Sequence, residues 1–285
     1  MIRTADKEQK GLSAVAVEVM KRHENKYIVD SITCFKLQDR ISQFAKLDEY
    51  NKRSDFYTIS NLYYDTYDNN LVRTSVSKPK YKEKLRLRAY GVPTDKDKVY
   101  LEIKKKYIGV VNKRRTSFEL PDAYKFLSTG YVEPKEYMNT QVLRELEYFI
   151  RLYNPSPKLY FAYDRRAYFG ENNLRVTFDT NIRTRRYDLK LENGSYGENL
   201  IDDDLWVIEI KVNGVNGAIP LWLTKLFAEY KVYRQSFSKY GVEYQKYLSL
   251  EEGKEEKCLI QFSMPQTKLQ PSHGKVLLPQ LASLF

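Results

Sequence analysis

Basic side chains recur at every second position in two stretches of this 285-residue chain, Lys84-Leu85-Arg86-Leu87-Arg88 and Tyr100-Leu101-Glu102-Ile103-Lys104-Lys105-Lys106. Ammonium and guanidinium groups make charge-assisted hydrogen bonds to anionic oxygens, each worth roughly 1.5–3 kcal/mol net. A line of them suits a chain of linked phosphates better than a single one. A strand sends successive side chains to opposite faces. Lys84, Arg86 and Arg88 therefore share one face, and Leu85 and Leu87 the other. Glu102, Lys104 and Lys106 likewise oppose Leu101 and Ile103. Gly91 and Pro93 in the linker mark a hairpin connection.

One hairpin of this kind is ordinarily the wet side of a half-buried sheet, but the pattern recurs along the chain. The strands expected at 22–29, 58–65, 110–120, 159–169, 174–182 and 205–212 carry further charges on their polar faces. The basic set is Lys26, Lys84, Arg86, Arg88, Lys104, Lys106, Lys113, Arg115, Arg165, Arg175 and Lys211, against Glu24, Glu102, Asp179 and Glu209. Eleven against four is not the mixed-sign pattern of a solvent face, where like charges repel. By parity Lys105 and Arg114 point outward, and His23 lies opposite the basic face.

Helices are expected over 34–50, 121–130, 136–154, 221–232 and 237–248, from apolar spacing such as Leu143, Leu146 and Ile150. A polar loop or hairpin is expected over 188–204, and Trp206 and Trp222 are expected in the core. Two geometries could use the basic faces. An open sheet would present a cationic plate on which interleaved Tyr and Arg could stack nucleic-acid bases. A closed barrel would turn the charges into a wet bore and its apolar faces outward beneath the helices. The barrel is favoured, because helices are available to cover it and the charges cannot be buried dry. Within such a bore Glu24 and Glu209 are either counter-ions or ligands for a divalent cation shared with phosphates. Charge logic leaves both open.

The totals agree with one folded domain. Hydrophobic residues make up 42% and charged residues 30%, and the net charge of +11 implies an anionic partner. Two cysteines, Cys34 and Cys258, exclude a disulfide framework. Two histidines, His23 and His273, leave little for a His-based metal or nucleophile site. No stretch approaches a membrane span and no signal-peptide core begins the chain, so the expected compartment is the cytoplasm. The expected organisation is one domain over residues 18–250 and a tail over 251–285, disordered or packed on the surface.

The motifs in order resemble the VTC domain, the polyphosphate polymerase branch of the triphosphate tunnel metalloenzymes, a CYTH-like superfamily. They are Glu24-Asn25-Lys26-Tyr27, Tyr64-Asp65, Leu85-Arg86-Leu87-Arg88-Ala89-Tyr90-Gly91, Glu102-Ile103-Lys104 and Val111-Asn112-Lys113. They continue with Tyr163-Asp164-Arg165, Arg175-Val176-Thr177-Phe178-Asp179, Glu209-Ile210-Lys211 and Phe237-Ser238-Lys239-Tyr240-Gly241. The resemblance implies an α+β fold: an antiparallel eight-stranded closed tunnel barrel with a basic interior and helices outside. It implies phosphate contacts from Lys26, Arg86, Arg88, Lys104, Lys113, Arg165, Arg175 and Lys239, supported by Tyr163 and Ser238. It implies a metal, Mn2+ or Mg2+, at Glu209. Lys211 and Glu24, on the same basic face, join the phosphate and metal sets.

The expected activity is transfer of the γ-phosphoryl group of ATP to a growing polyphosphate chain. Lys26, Arg165, Arg175 and Lys239 would serve the reacting group. The alternatives are a tunnel triphosphatase and a non-catalytic polyphosphate or nucleic-acid binder. Triphosphatase relatives carry Glu-x-Glu-x-Lys on the first strand; this chain has Arg22-x-Glu24-x-Lys26. Fewer carboxylates favour gripping a polyanion over activating water. The expected partners are ATP and inorganic polyphosphate, without nucleic acid. The absence of a spanning segment leaves room for a membrane-protein partner.

Overall fold

The computed structural model describes residues 22–251 apart from 53, 109 and 214–217. The expectations for the tail and for Cys258 and His273 lie outside the described residues. The compact unit that carries the sheet ends at Gln245.

The elements follow the alternation closely. β1 (Arg22–Asp30) leads into α1 (Ser31–Ser42), where the Asp30 carboxylate caps the helix by accepting from the Thr33 amide at 2.7 Å. β2 (Lys46–Leu47) and β3 (Tyr57–Asp65) follow, then α2 (Asn70–Val76), β4 (Tyr81–Tyr90), β5 (Lys98–Tyr107) and β6 (Val110–Glu119). α3 (Leu120–Thr129) has Pro in its first turn and ends at Gly130, whose φ of 73° is the left-handed conformation that glycine adopts without strain. α4 (Thr140–Tyr153) starts at the Asn139 cap, so residues 136–139 lie outside the helix expected there. β7 (Ser156–Phe169), β8 (Arg175–Arg185), β9 (Glu198–Asn199), β10 (Leu205–Asn213), α5 (Leu221–Glu229) and α6 (Lys239–Glu251) complete the chain.

Eight strands form one antiparallel sheet in the order β1-β10-β8-β7-β3-β4-β5-β6, with β2 and β9 as short additions to β7 and β8. The basic face is concave: Lys104 on β5 reaches Glu24 on β1 at 3.1 Å, although those strands lie towards opposite ends of the hydrogen-bonded path. The closed ring expected from sequence is corrected here, because among the described residues β1 and β6 end the path without pairing with each other. The carbonyl of Lys26 on β1 instead accepts from the Gln235 amide at 2.8 Å, so the approach to α6 takes up bonding capacity on that edge.

The outward faces are apolar and helix-covered. Leu62, Leu85, Leu87, Leu101 and Ile103 pack with Phe126 of α3 and Leu146 and Phe149 of α4. Val176, Phe178, Ile208 and Ile210 pack with Leu37 and Ile41 of α1 and Leu223 and Phe227 of α5. Trp206 is buried, whereas Trp222 is half-buried and stacks on Phe44.

The helix expected over 34–50 stops at Ser42. Phe44 and Leu47 keep helical spacing, but Lys46 and Leu47 are drawn into pairing with Phe169 and Tyr168. α2 has no counterpart in the sequence reading. The buried Asp65 carboxylate organises it by accepting from the Leu71 and Val72 amides at 2.8 and 2.9 Å.

Candidate functional site

A cavity of about 2300 Å³ runs through the concave side of the sheet. All eleven basic residues picked out by strand parity line it. Glu24 and Glu209 line it too, whereas Glu102 and Asp179 lie fully buried beneath the lining. Tyr163, Ser238 and Lys239 also face the cavity. The residues proposed from sequence are thus brought to one wall system from seven strands and the start of α6. Lys105 lies off the lining and pairs with Glu83, whereas Arg114, expected to point outward, pairs with Glu145 yet also reaches the cavity lining. His23 is exposed and reaches the cavity edge, closer to the site than parity implies.

Two buried carboxylates hold the cations in place. Glu102 accepts from Arg86 and from Lys113, each at 2.7 Å, with Arg88 at 3.7 Å and Arg115 at 3.9 Å. Its carboxyl is held well below the usual range: burial opposes ionisation, but Arg88, Arg86 and Lys113 outweigh it. Asp179 accepts both forks of Arg165, at 2.6 and 2.8 Å, and the Lys239 ammonium at 2.6 Å. Burial again opposes its charge, and Arg165 and Lys239 pull its pKa down to about 2. Arg88 is further fixed by donating to Asn61 at 2.9 Å.

The first-strand lysine, Lys26, donates to the Phe237 carbonyl at 3.0 Å. Burial lowers its pKa, with Glu209 opposing and Lys239 and Lys104 adding to the shift. Lys84 donates to the Ser238 hydroxyl at 3.2 Å. Burial pushes its pKa down to about 8, with the neighbouring lysines 104, 26 and 82 adding to the effect. Tyr63, bonded by Arg86 at 3.1 Å, is also brought to about 8: burial disfavours its phenolate, and Arg86 and Lys84 more than compensate. Such pressure among like charges is what a bound polyanion relieves.

The register sets Lys26 opposite Glu209 and Glu24 opposite Lys211, so the two acids are diagonal neighbours on one face. Glu209 lies 3.4 Å from the Lys211 ammonium. Burial disfavours its charge, but Lys211, Lys26 and Arg165 hold its carboxyl well below the usual range. Glu24 is lowered as well: Lys104 prevails over burial and over repulsion from Glu209. The pair is therefore a set of ionised, hard oxygen donors. Magnesium and manganese are held by one or two carboxylates plus phosphate oxygens, so the donor set fits such an ion shared with a ligand. Among the described residues no cluster of three or more His, Cys, Asp or Glu is placed to cage a metal on its own.

Sequence reasoning missed Asn61 and Tyr63, although both share the inward parity of β3. It missed Arg234, placed on the lining by the loop before α6, for which no periodic signal exists. It grouped Glu102 and Asp179 with the bore-facing acids, when their role is to anchor cations from below.

The fold and site define a class of protein: an antiparallel α+β sheet curved around a cationic bore that carries a pair of carboxylates. Residues 21–248 match the family model for the VTC domain, and the chain belongs to that family. The solved structures similar to it include a putative adenylate cyclase from Bacillus halodurans, 14% identical, covering 78% of this chain and 94% of that one with a TM-score of 0.47. Another is the putative adenylyl cyclase HpAC1 from Hippeastrum, described as having a dominant triphosphatase activity. It is 17% identical, covering 84% of this chain and 99% of that one with a TM-score of 0.46. Comparison with curated proteins gave no match. Among the described residues no helix is long and apolar enough to cross a membrane.

Proposed function

We propose that this protein is a polyphosphate polymerase that transfers the γ-phosphoryl group of ATP to the end of an inorganic polyphosphate chain and releases ADP. The observation that carries this reading is the cationic lining, far longer than one phosphate needs and bearing, among the described residues, two carboxylates. A terminal oxygen of the acceptor chain attacks the γ-phosphorus, and the bond from that phosphorus to the β–γ bridging oxygen breaks. The attacking oxygen is already ionised, so no general base is required. Catalysis is then positioning and charge stabilisation.

Lys26, Arg165, Arg175 and Lys239 neutralise the transferring group. Arg86, Arg88, Lys104, Lys113 and Lys211 hold the linked phosphates, supported by Tyr163 and Ser238. Glu209 and Glu24 hold the divalent ion, Mn2+ or Mg2+, which supplies Lewis-acid polarisation of phosphoryl oxygens when bound. The functional domain is residues 18–250, acting in the cytoplasm, with room for a membrane-protein partner.

The test is to incubate the full chain with ATP and Mn2+ and separate the products by length. Long polyphosphate with equimolar ADP supports polymerisation, and free phosphate alone makes the protein a triphosphatase. ATP left intact makes it a binder. Lys26→Ala or Glu209→Ala is expected to lower turnover at least 100-fold with the fold intact by circular dichroism (roughly the size of losing one transition-state donor). Full activity in either variant refutes that assignment.

A further inference from the structure

One margin of the cavity differs from the rest in chemistry. Tyr57 and Tyr90 line it, and Tyr50, on the short turn Glu49–Lys52, stacks on Tyr90 with planes 4° apart and centroids 5.6 Å apart. Tyr57 tilts against both rings, at 5.6 and 6.2 Å, and Tyr100 meets Tyr90 edge-on at 5.9 Å. Tyr50 is 62% exposed and Tyr90 39%. Paired aromatic rings left in water at a cavity margin are not packing a core.

Cations flank these rings. The Arg115 guanidinium lies over the Tyr100 ring at 4.8 Å. Asp48, buried beneath, accepts from the Tyr50 amide at 3.2 Å and from Arg175 at 3.4 Å, tying the ring-bearing turn to the lining. Arg175 keeps a buried nitrogen, Nε, that has no hydrogen-bond partner among the described residues. On β4, Arg88 and Arg86 follow Tyr90 on the same face in two-residue steps of about 6.6 Å each. A ligand with a flat apolar head and a polyanionic tail matches that succession.

We infer that Tyr50 and Tyr90 form a stacking platform for the nucleobase of a nucleoside triphosphate whose phosphates run inward along Arg88 and Arg86. The inference rests on the proposed use of ATP and adds where its base sits. Stacking needs only a π face and is indifferent to which base supplies it. On stacking alone, GTP is expected to bind about as well as ATP. The platform also orients the donor, since the nucleoside remains at the tyrosine margin while the γ-phosphate reaches the interior.

The test compares ATP with inorganic tripolyphosphate, which has the tail without the head. Binding of each to the full chain is measured by calorimetry with Mn2+ present, for the unmodified protein, Tyr50→Ala, Tyr90→Ala and Tyr50→Phe. The alanine variants are expected to weaken ATP about tenfold, the effect of losing about 1.4 kcal/mol of stacking. They should leave tripolyphosphate unchanged, which also reports an intact lining. Tyr50→Phe keeps the ring and is expected to keep ATP affinity. Equal weakening of both ligands, or unchanged ATP affinity in both alanine variants, overturns the platform. Polyphosphate synthesis by the unmodified protein is scored separately. Synthesis with ATP affinity unaffected by the alanine variants sinks the platform alone; a selective loss of ATP affinity without synthesis sinks the polymerase reading alone.

Discussion

Six cations of the bore are held by two buried acids: Arg86, Arg88, Lys113 and Arg115 by Glu102, and Arg165 and Lys239 by Asp179. Asp179 faces a guanidinium and an ammonium at once, so removing its charge takes the ionic partner from the buried Arg165 and the half-buried Lys239. Breaking such a pair costs about 3–5 kcal/mol, and Asp179→Asn is expected to lower unfolding free energy by about that much in a denaturant titration. The same contact predicts a pH dependence. The folded-state pKa of about 2 lies below the unfolded value of about 3.9. The stabilisation is therefore fully present above about pH 4 and is lost as pH falls towards about 2. Denaturant midpoints measured between pH 5 and pH 2 should fall steeply in the unmodified protein and less steeply in Asp179→Asn. Parallel slopes would show that Asp179 is not the group being protonated.

α6 begins where three separate contacts meet. Ser238 accepts from Lys84, Lys239 binds Asp179, and the Tyr240 hydroxyl donates to the buried Asp65 carboxylate at 2.9 Å. Asp65 also accepts the amides that start α2, so one carboxylate seats both helices. Tyr240→Phe removes one of its donors and leaves the backbone ones. A loss of about 1.5 kcal/mol is expected, the lower end for a bond to a charged group, together with reduced turnover as Ser238 and Lys239 loosen. Unchanged turnover at reduced stability would confine Tyr240 to a structural part.

The motifs marked Asp65, Ser238, Lys239 and Tyr240, but the contact between Asp65 and Tyr240 could not be read from the sequence, because the two are 175 residues apart and neither follows a period. The strands that carry Arg86 or Lys104 were legible because alternation is a local property. β3 shows little alternation in burial, Ser60 and Leu62 being as buried as Asn61, so Asn61 and Tyr63 gave no such signal. The end of α1 was misjudged for a related reason: Phe44 and Leu47 keep the spacing of a helix that pairing with β7 cuts short. Parity placed Glu102 on the correct face but could not say that Arg86 and Lys113 would bury it.

At the scale of the whole molecule the lining has direction, and direction makes a claim that a merely basic surface does not. The tyrosine margin lies at the Tyr90 end of β4, whereas Lys82, with Lys106 opposite it in register, lies at the other end of that face. Lys82 donates to the Ser75 carbonyl at 3.0 Å, and its pKa is lowered by burial and then by repulsion from Lys106, Lys104 and Lys78. These ammonium groups are three strand steps or more from Tyr90, beyond the reach of three phosphates that begin near Arg88. A long chain lying along the bore would meet them. Affinity for inorganic polyphosphate is thus expected to rise with chain length until the row is filled and then to level off, with strong weakening by salt as bound counterions are displaced. Lys82→Ala combined with Lys106→Ala should lower affinity for long chains several-fold and leave tripolyphosphate unchanged, in competition binding against a labelled chain. Were the double variant to weaken tripolyphosphate as much as the long chain, the cations would form a diffuse basic patch, and the ordered path from tyrosines to lysines would have no basis.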